Sequence, residues 1–335
     1  MNFQEVTEQA RGNIGPYCKA CNVCNGAACK NQMPGPGAKG LGKVAMRNYE
    51  KWQEICVNMD TICEQKPVNT KVELFGRTFD YPVFAGPVGA VKLHYGENEY
   101  NQILVSACAK NGIVAFTGDG TNPTVMEEAT KAIHNVNGQG IPTVKPWDME
   151  TIKEKMELVK KSGAFAVAMD IDAAGLPFLQ NLTPPAGSKS VKELQEIVKI
   201  AEIPFILKGV MTVKGARKAL EAGVQGIIVS NHGGRVLDQC PATAEVLPSI
   251  VEAVGSEMKI LVDGGIRSGM DVFKALAMGA DAVLAARPFV TAVYGGREEG
   301  VKALVDKLGA ELVDTMKMCG AFSLEEISED MIWKP

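Results

Sequence analysis

A chain of 335 residues, 46% hydrophobic and 22% charged, is long enough to bury a large core as two domains or as one α/β barrel with additions. A formal net charge of -4 on an average globular composition points to no nucleic-acid or membrane partner. Acids in the first ten residues exclude a signal or transit peptide, and no apolar run reaches the length of a transmembrane helix, so a cytoplasmic protein is expected. In a reducing cytoplasm, nine cysteines suggest metal or redox chemistry where they cluster. The scattered Cys56, Cys63, Cys108 and Cys319 read as small buried hydrophobes.

The first element along the chain is such a cluster, CKACNVCNGAAC, with Cys18, Cys21, Cys24 and Cys29 spaced C-x2-C-x2-C-x4-C. One tight loop can present adjacent thiolates to a single centre. Three cysteines at x2 spacing favour an iron-sulfur centre, a [4Fe-4S] cluster, over zinc, which usually takes two well-separated pairs. Reduced, redox-sensitive thiols are the third reading. Pro34 to Gly37 then mark a loop, so residues 1–80 are expected to be a Cys-rich N-terminal extension packed on a domain of residues 81–335.

From about residue 80, short apolar runs alternate with helical segments, the signature of βα units around a parallel sheet. The predicted strands are YPVFAGPV, GIVAFTG, IPTVK, AFAVAMDID, PFILKG, QGIIVSN, KILVDGG and DAVLAARP. Intervening helices such as VKGARKALEAG and SGMDVFKALAMGA end in Gly-containing caps, and a long amphipathic helix, REEGVKALVDKLGAELVDTMKMCG, closes the chain. Eight consecutive units favour a closed (β/α)8 TIM barrel over a doubly wound sheet.

Barrel chemistry belongs at the C-terminal strand ends. There the sequence collects Gly86 and Pro87, Thr117 to Asp119, Lys145, Asp170, Asp172, Lys208, Asn231 to Arg235, Asp263 to Arg267, and Arg287. DGGIRSG after strand seven and AARP after strand eight predict a phosphate site, because free N–H groups at a helix start face the anion and Arg267 and Arg287 add charge-assisted bonds. In SNHGGRVLD, His232 offers a base near neutral pH and Arg235 a bidentate anchor for a carboxylate. Lys208 sets a fixed positive charge near a group that gains electrons.

These residues resemble the FMN-dependent 2-hydroxy acid oxidases and dehydrogenases, the glycolate oxidase, lactate oxidase and mandelate dehydrogenase group. The likeness is strongest from ILKGV at Ile206 through VSNHGGRVLD, LVDGGIRSGMDVFKALAMGADAVLAARP and CGAFSLEEI, and traceable from FGRTFDYPVFAGPVGA onward. The resemblance implies that His232 is the active-site base, Arg235 the substrate anchor and Asp170 the aspartate that orients the histidine. It places Lys208 by flavin N1 and the C2 carbonyl, and Asp263, Gly265, Arg267 and Arg287 on the ribityl chain and phosphate. The backbone from Ala85 through Gly86, Pro87 and Val88 would line the N5 side. Thr117, Thr143, Ser230, Gly234, Gly264 and Ala286 complete the expected cofactor set.

The sequence also departs from that pattern. Where the family has a glutamine and an active-site tyrosine, PTVKPW puts Thr143 and Lys145, so Lys145 becomes a candidate partner for substrate oxygen. The family's second substrate arginine falls near Pro177, its aromatic after strand two near Asp119, and its N-terminal tyrosine has no match. The loop from Asp172 to Ser190 is short. The expected reaction is oxidation of a 2-hydroxy acid or related carboxylate at flavin N5, with a cysteine-bound cluster passing electrons to an external acceptor. A non-redox flavin isomerase of the type 2 isopentenyl diphosphate kind, or a flavin-loaded binding protein, is the alternative. The expected partners are the small carboxylate, the acceptor and further copies of the chain.

Overall fold

A computed structural model describes residues 1–33, 35–96, 98–176, 179, 183 and 185–334. Eight parallel strands form one sheet: β1 (Val83–Ala85), β2 (Phe116–Thr117), β3 (Ile141–Val144), β4 (Val167–Asp170), β5 (Phe205–Val210), β6 (Gly226–Val229), β7 (Lys259–Val262) and β8 (Ala282–Ala285). Each pairs with its sequence neighbours, and β8 returns to β1, with Val83 opposite Val283 and Ala85 opposite Ala285. A parallel bridge between Ala85 and Ala115 closes the ring. The sheet is therefore the expected (β/α)8 barrel and not an open doubly wound sheet. Its strands are buried on both sides, which is why they carry apolar runs without alternation.

Residues ahead of β1 wrap this barrel. A hairpin of Val72–Leu74 and Arg77–Phe79 plugs its N-terminal end, where the Phe79 ring meets Phe84 edge-on at 5.0 Å. Helix α1 (Phe3–Asn13), capped by a reciprocal Asn2 and Glu5 box, packs on the closing helix. Helix α2 (Lys43–Glu54) lies across the opposite, C-terminal end. Residues Cys56–Val57 pair antiparallel with Ile332–Trp333, so the segment after α2 and the C-terminal end share a strand ladder.

The closing helix starts earlier than its amphipathic pattern suggests, at Arg287 directly after β8, and runs to Met318 with a break at Arg297, where φ is 49°. Pro288 suits the first turn, whose N–H groups need no intrahelical partner. Cys108 and Cys319 are buried as expected, whereas Cys56 and Cys63 are exposed because they lie in the peripheral strand and loop beyond the barrel wall. Pro34 and Pro177 lie outside the described residues. Among the described residues no helix is long and apolar enough to cross a membrane.

Trp52 on α2 is fully buried, and its indole N–H donates to the Gly264 carbonyl at 2.8 Å, joining the extension to the loop after β7. Trp52→Ala should therefore cost about 3–5 kcal/mol of unfolding free energy. Trp52→Phe, losing mainly the hydrogen bond, should cost about 1 kcal/mol. Urea unfolding followed by circular dichroism reads both.

Candidate active site

The C-terminal strand ends surround a cavity of about 390 Å³, within the size range of small-molecule sites. Its wall includes Pro87, Val88, Lys145, Lys208, His232, Arg235, Asp263, Gly264, Gly265, Arg267, Ala286 and Arg287 from the expected set. Thr117 and Thr143 stand in the barrel beneath, each almost fully buried, and their hydroxyls have no partner among the described residues. Gly234 is turned the other way: a Cβ there would lie 2.8 Å from that of Val44 and 2.9 Å from that of Ala38, so it seats the extension instead of facing the cavity.

His232 has φ 55°, a left-handed conformation that costs a non-glycine residue about 1 kcal/mol or more. It is held by its N–H, which donates to Ser230 Oγ at 3.1 Å, and by its ring. Nδ1 lies 2.9 Å from Asp172 Oδ1, while Nε2 is 4.0 Å from Asp170 Oδ2. The carboxylate on the ring is thus Asp172 and not the expected Asp170. Two features cause the exchange. After β4 the chain turns into the short 3-10 segment Ile171–Gly175, which swings Asp172 inward. Opposite it, β5 bulges at Gly209, whose φ is 100° and whose missing Cβ would sit 2.4 Å from Asp172 Cγ.

Asp170 is taken instead by Lys145, Nζ to Oδ2 at 2.7 Å, both buried. Lys208 Nζ donates to Ser230 Oγ at 2.9 Å and lies 3.5 Å from Asp263 Oδ2. Burial pulls Lys208 down, but Asp263, Asp172 and Asp170 outweigh it and hold the amine above its ordinary value. Burial likewise opposes ionisation of Asp172, yet His232 and Lys208 keep its carboxyl below the usual range.

Asp119, which stands near the family's aromatic position, accepts from Trp147 Nε1 at 2.6 Å and the Lys145 N–H at 3.2 Å, and pairs with Lys155 at 3.0 Å. It binds the loops after β2 and β3 together. Among the wall residues that escaped sequence reasoning are His94 and Tyr95. Burial and the Arg235 cation lower His94 to about 4, so it is neutral near pH 7. The signal available was LHYG, in the loop that follows the first predicted strand.

The extension supplies acceptors to three of the cationic and polar groups. Arg235 donates to the carbonyls of Gly35 and Gly37, the latter at 3.0 Å. Asn231 exchanges hydrogen bonds with Asn48 at 2.7 and 2.8 Å. Arg267 Nε donates to the Cys24 carbonyl at 2.7 Å, and its Nη2 to Cys24 Sγ at 3.7 Å. Arg287 is half-buried, and its enclosed Nη1 lacks a partner among the described residues. Gly264 and Gly265 take φ of 86° and 94°, and a Cβ on Gly265 would strike the Asn48 carbonyl at 2.3 Å.

The structure lends the expected metal centre no support. Cys18, Cys21, Cys24 and Cys29 are free, and among the described residues no three His, Cys, Asp or Glu side chains make a metal-holding group. Their sulfurs are engaged separately: Cys18 accepts from the Ala20 N–H at 3.5 Å, Cys29 lies 3.8 Å from the Gly26 carbonyl, and Cys24 faces the arginines.

The family model described as FMN-dependent dehydrogenase matches residues 36–183 and 178–334. The chain belongs to this family. It is 30% identical to a peroxisomal (S)-2-hydroxyacid oxidase of Arabidopsis thaliana over 85% of this chain and 86% of that protein. It is 40% identical to a 2-hydroxyacid oxidase of Mus musculus over 79% and 82%. A mandelate oxidase variant solved with (S)-mandelic acid superposes with a TM-score of 0.81 at 26% identity, covering 98% of this chain and 97% of that one. The chain is thus an FMN-dependent oxidoreductase, and the residues fit the cofactor. Two orphaned hydroxyls, the orphaned Asp263 Oδ1 and an orphaned arginine donor line the path from barrel centre to glycine-rich rim.

The buried Lys145 and Asp170 pair makes a stability test. Lys145→Met alone should cost about 3–5 kcal/mol by stranding a carboxylate, whereas Lys145→Met with Asp170→Leu should recover most of that loss. Denaturant unfolding of the two single variants and the double variant gives the cycle.

Proposed function

We propose that the protein oxidises a 2-hydroxy acid, with His232 as the base and Arg235 as the carboxylate anchor. The observation that carries this reading is the His232 and Asp172 contact at the rim of a cavity that also holds Arg235 and Lys208. FMN, when bound, accepts the two electrons lost by the substrate carbon. Thr117, Thr143, Lys208 and Asp263 would hold its inner part, and Arg267 and Arg287 its phosphate.

The chain's own groups divide the work as follows. Ionised Asp172 accepts from Nδ1–H, which fixes the imidazole tautomer and leaves the Nε2 lone pair as proton acceptor on the Asp170 side. The carboxylate also stabilises the imidazolium that forms. Arg235, with its guanidinium directed by the Gly35 and Gly37 carbonyls, receives the substrate carboxylate. Lys145, neutralised by Asp170, offers its remaining N–H groups to a substrate oxygen. Leu176 and Leu179 give the wall an apolar part, which supports a substrate with a hydrophobic 2-substituent. The names of the relatives favour dioxygen as electron acceptor.

His232→Gln should abolish flavin reduction while FMN stays bound. Asp172→Asn should slow reduction at least about 100-fold, and Asp170→Asn should leave more activity than Asp172→Asn. Anaerobic stopped-flow bleaching with a panel of aliphatic and aromatic 2-hydroxy acids measures all three. Unchanged bleaching by His232→Gln overturns the assignment.

A further inference from the structure

The four-cysteine loop is absorbed neither by the fold nor by the reaction, yet it touches the flavin site at its most charged point. Cys24 is where it does so. Its carbonyl and its sulfur both accept from Arg267, at 2.7 and 3.7 Å, and Arg287 also lies against the same thiol. The Arg267 guanidinium otherwise bonds only the carbonyl of its own neighbour Ile266, at 2.6 Å, so Cys24 is what orients its outer edge among the described residues. The remaining thiols share the same short loop, Cys21 standing in a C-x2-C pair with Cys24, and all four residues are free and part-exposed. A thiol beside cations in a C-x2-C pair is the arrangement of a redox-sensitive pair.

We propose that Cys24 and Cys21 form a reversible disulfide whose closure disorganises Arg267 and weakens FMN binding. This inference rests on the assignment of Arg267 to the FMN phosphate. The oxidant is a hydroperoxide. Cys24 sulfur attacks the O–O bond, giving a sulfenic acid and releasing one oxygen as water after protonation. Cys21 sulfur then attacks the sulfenic sulfur, the S–S bond forms, and the second oxygen leaves as water. Two thiols lose two electrons and two protons, and hydrogen peroxide becomes two waters. To reach Cys21, the Cys24 sulfur must leave Arg267 Nη2, and its carbonyl shifts from Nε. The arginine keeps its charge but loses the contacts that aim it, so the phosphate loses about one charge-assisted hydrogen bond, close to tenfold in affinity.

The test uses the full chain, stripped of FMN and reloaded. FMN binding is titrated by flavin fluorescence in dithiothreitol, after stoichiometric hydrogen peroxide, and after re-reduction. Non-reducing peptide mass spectrometry locates any disulfide, and metal analysis accompanies each sample. The expected result is a Cys21–Cys24 link, a dissociation constant raised about tenfold, and full recovery on reduction. Cys21→Ser and Cys21→Ala should bind FMN normally and resist peroxide. A link with unchanged FMN affinity overturns the proposal, as does the absence of a link, including absence because stoichiometric iron or zinc occupies the thiols. A fully reduced chain that binds no FMN overturns the flavin assignment and the switch with it.

Discussion

The mouth of this barrel is governed by the cost of burying charge. Asp170 and Asp172 come off the end of β4 and Asp263 off the end of β7 into a region largely closed to water, and each would be prohibitive alone. Lys145, Lys208 and His232 rise beside them, so that every carboxylate has a basic partner within 4.0 Å. Satisfying this set fixes the geometry on which the chemistry depends. The ring of His232 must meet Asp172, Lys208 must lean between Ser230 and Asp263, and Lys145 must cross to Asp170. The strain accepted at His232, with its left-handed backbone, is the local cost of making those pairings at once.

That requirement explains which parts of the molecule were readable beforehand. Eight apolar strands announced the barrel because a strand covered on both faces has no room for alternation. The functional end announced itself through polar residues at the end of each run. The exchange of Asp170 for Asp172 was not legible. Two aspartates separated by one residue point the same way along an ideal strand. Only the 3-10 turn after β4 and the bulge at Gly209 decide which of them reaches the imidazole. A bulge is a register event between two strands, and glycine in a strand signals it only weakly.

The cysteines illustrate the converse. Spacing alone suggested ligands of one centre, since regular C-x2-C pairs bring sulfurs near each other. The four cysteines share one short loop, but the sulfurs are drawn toward different partners, one of them an arginine pair set by the distant β7 and β8 loops. Cys56 and Cys63 failed their reading for a related reason. Their exposure follows from lying on the strand and loop shared with the C-terminus, outside the barrel wall.

The N-terminal extension is best understood as the missing set of acceptors for the barrel's cations. A bare (β/α)8 barrel leaves arginines on the βα loops with five donors each and few fixed partners. Here Gly35 and Gly37 take Arg235, Cys24 takes Arg267, and Trp52 and Asn48 tie down Gly264 and Asn231. Carbonyl acceptors direct a guanidinium without cancelling its charge, so the full cation remains for a carboxylate or phosphate. Carboxylate partners would have held the arginines as firmly and spent that charge. The contrast with the histidine side of the cavity is consistent with this division. There carboxylates, Asp172 and Asp170, hold His232 and Lys145, which suits groups that move protons or hold neutral oxygens instead of capturing anions.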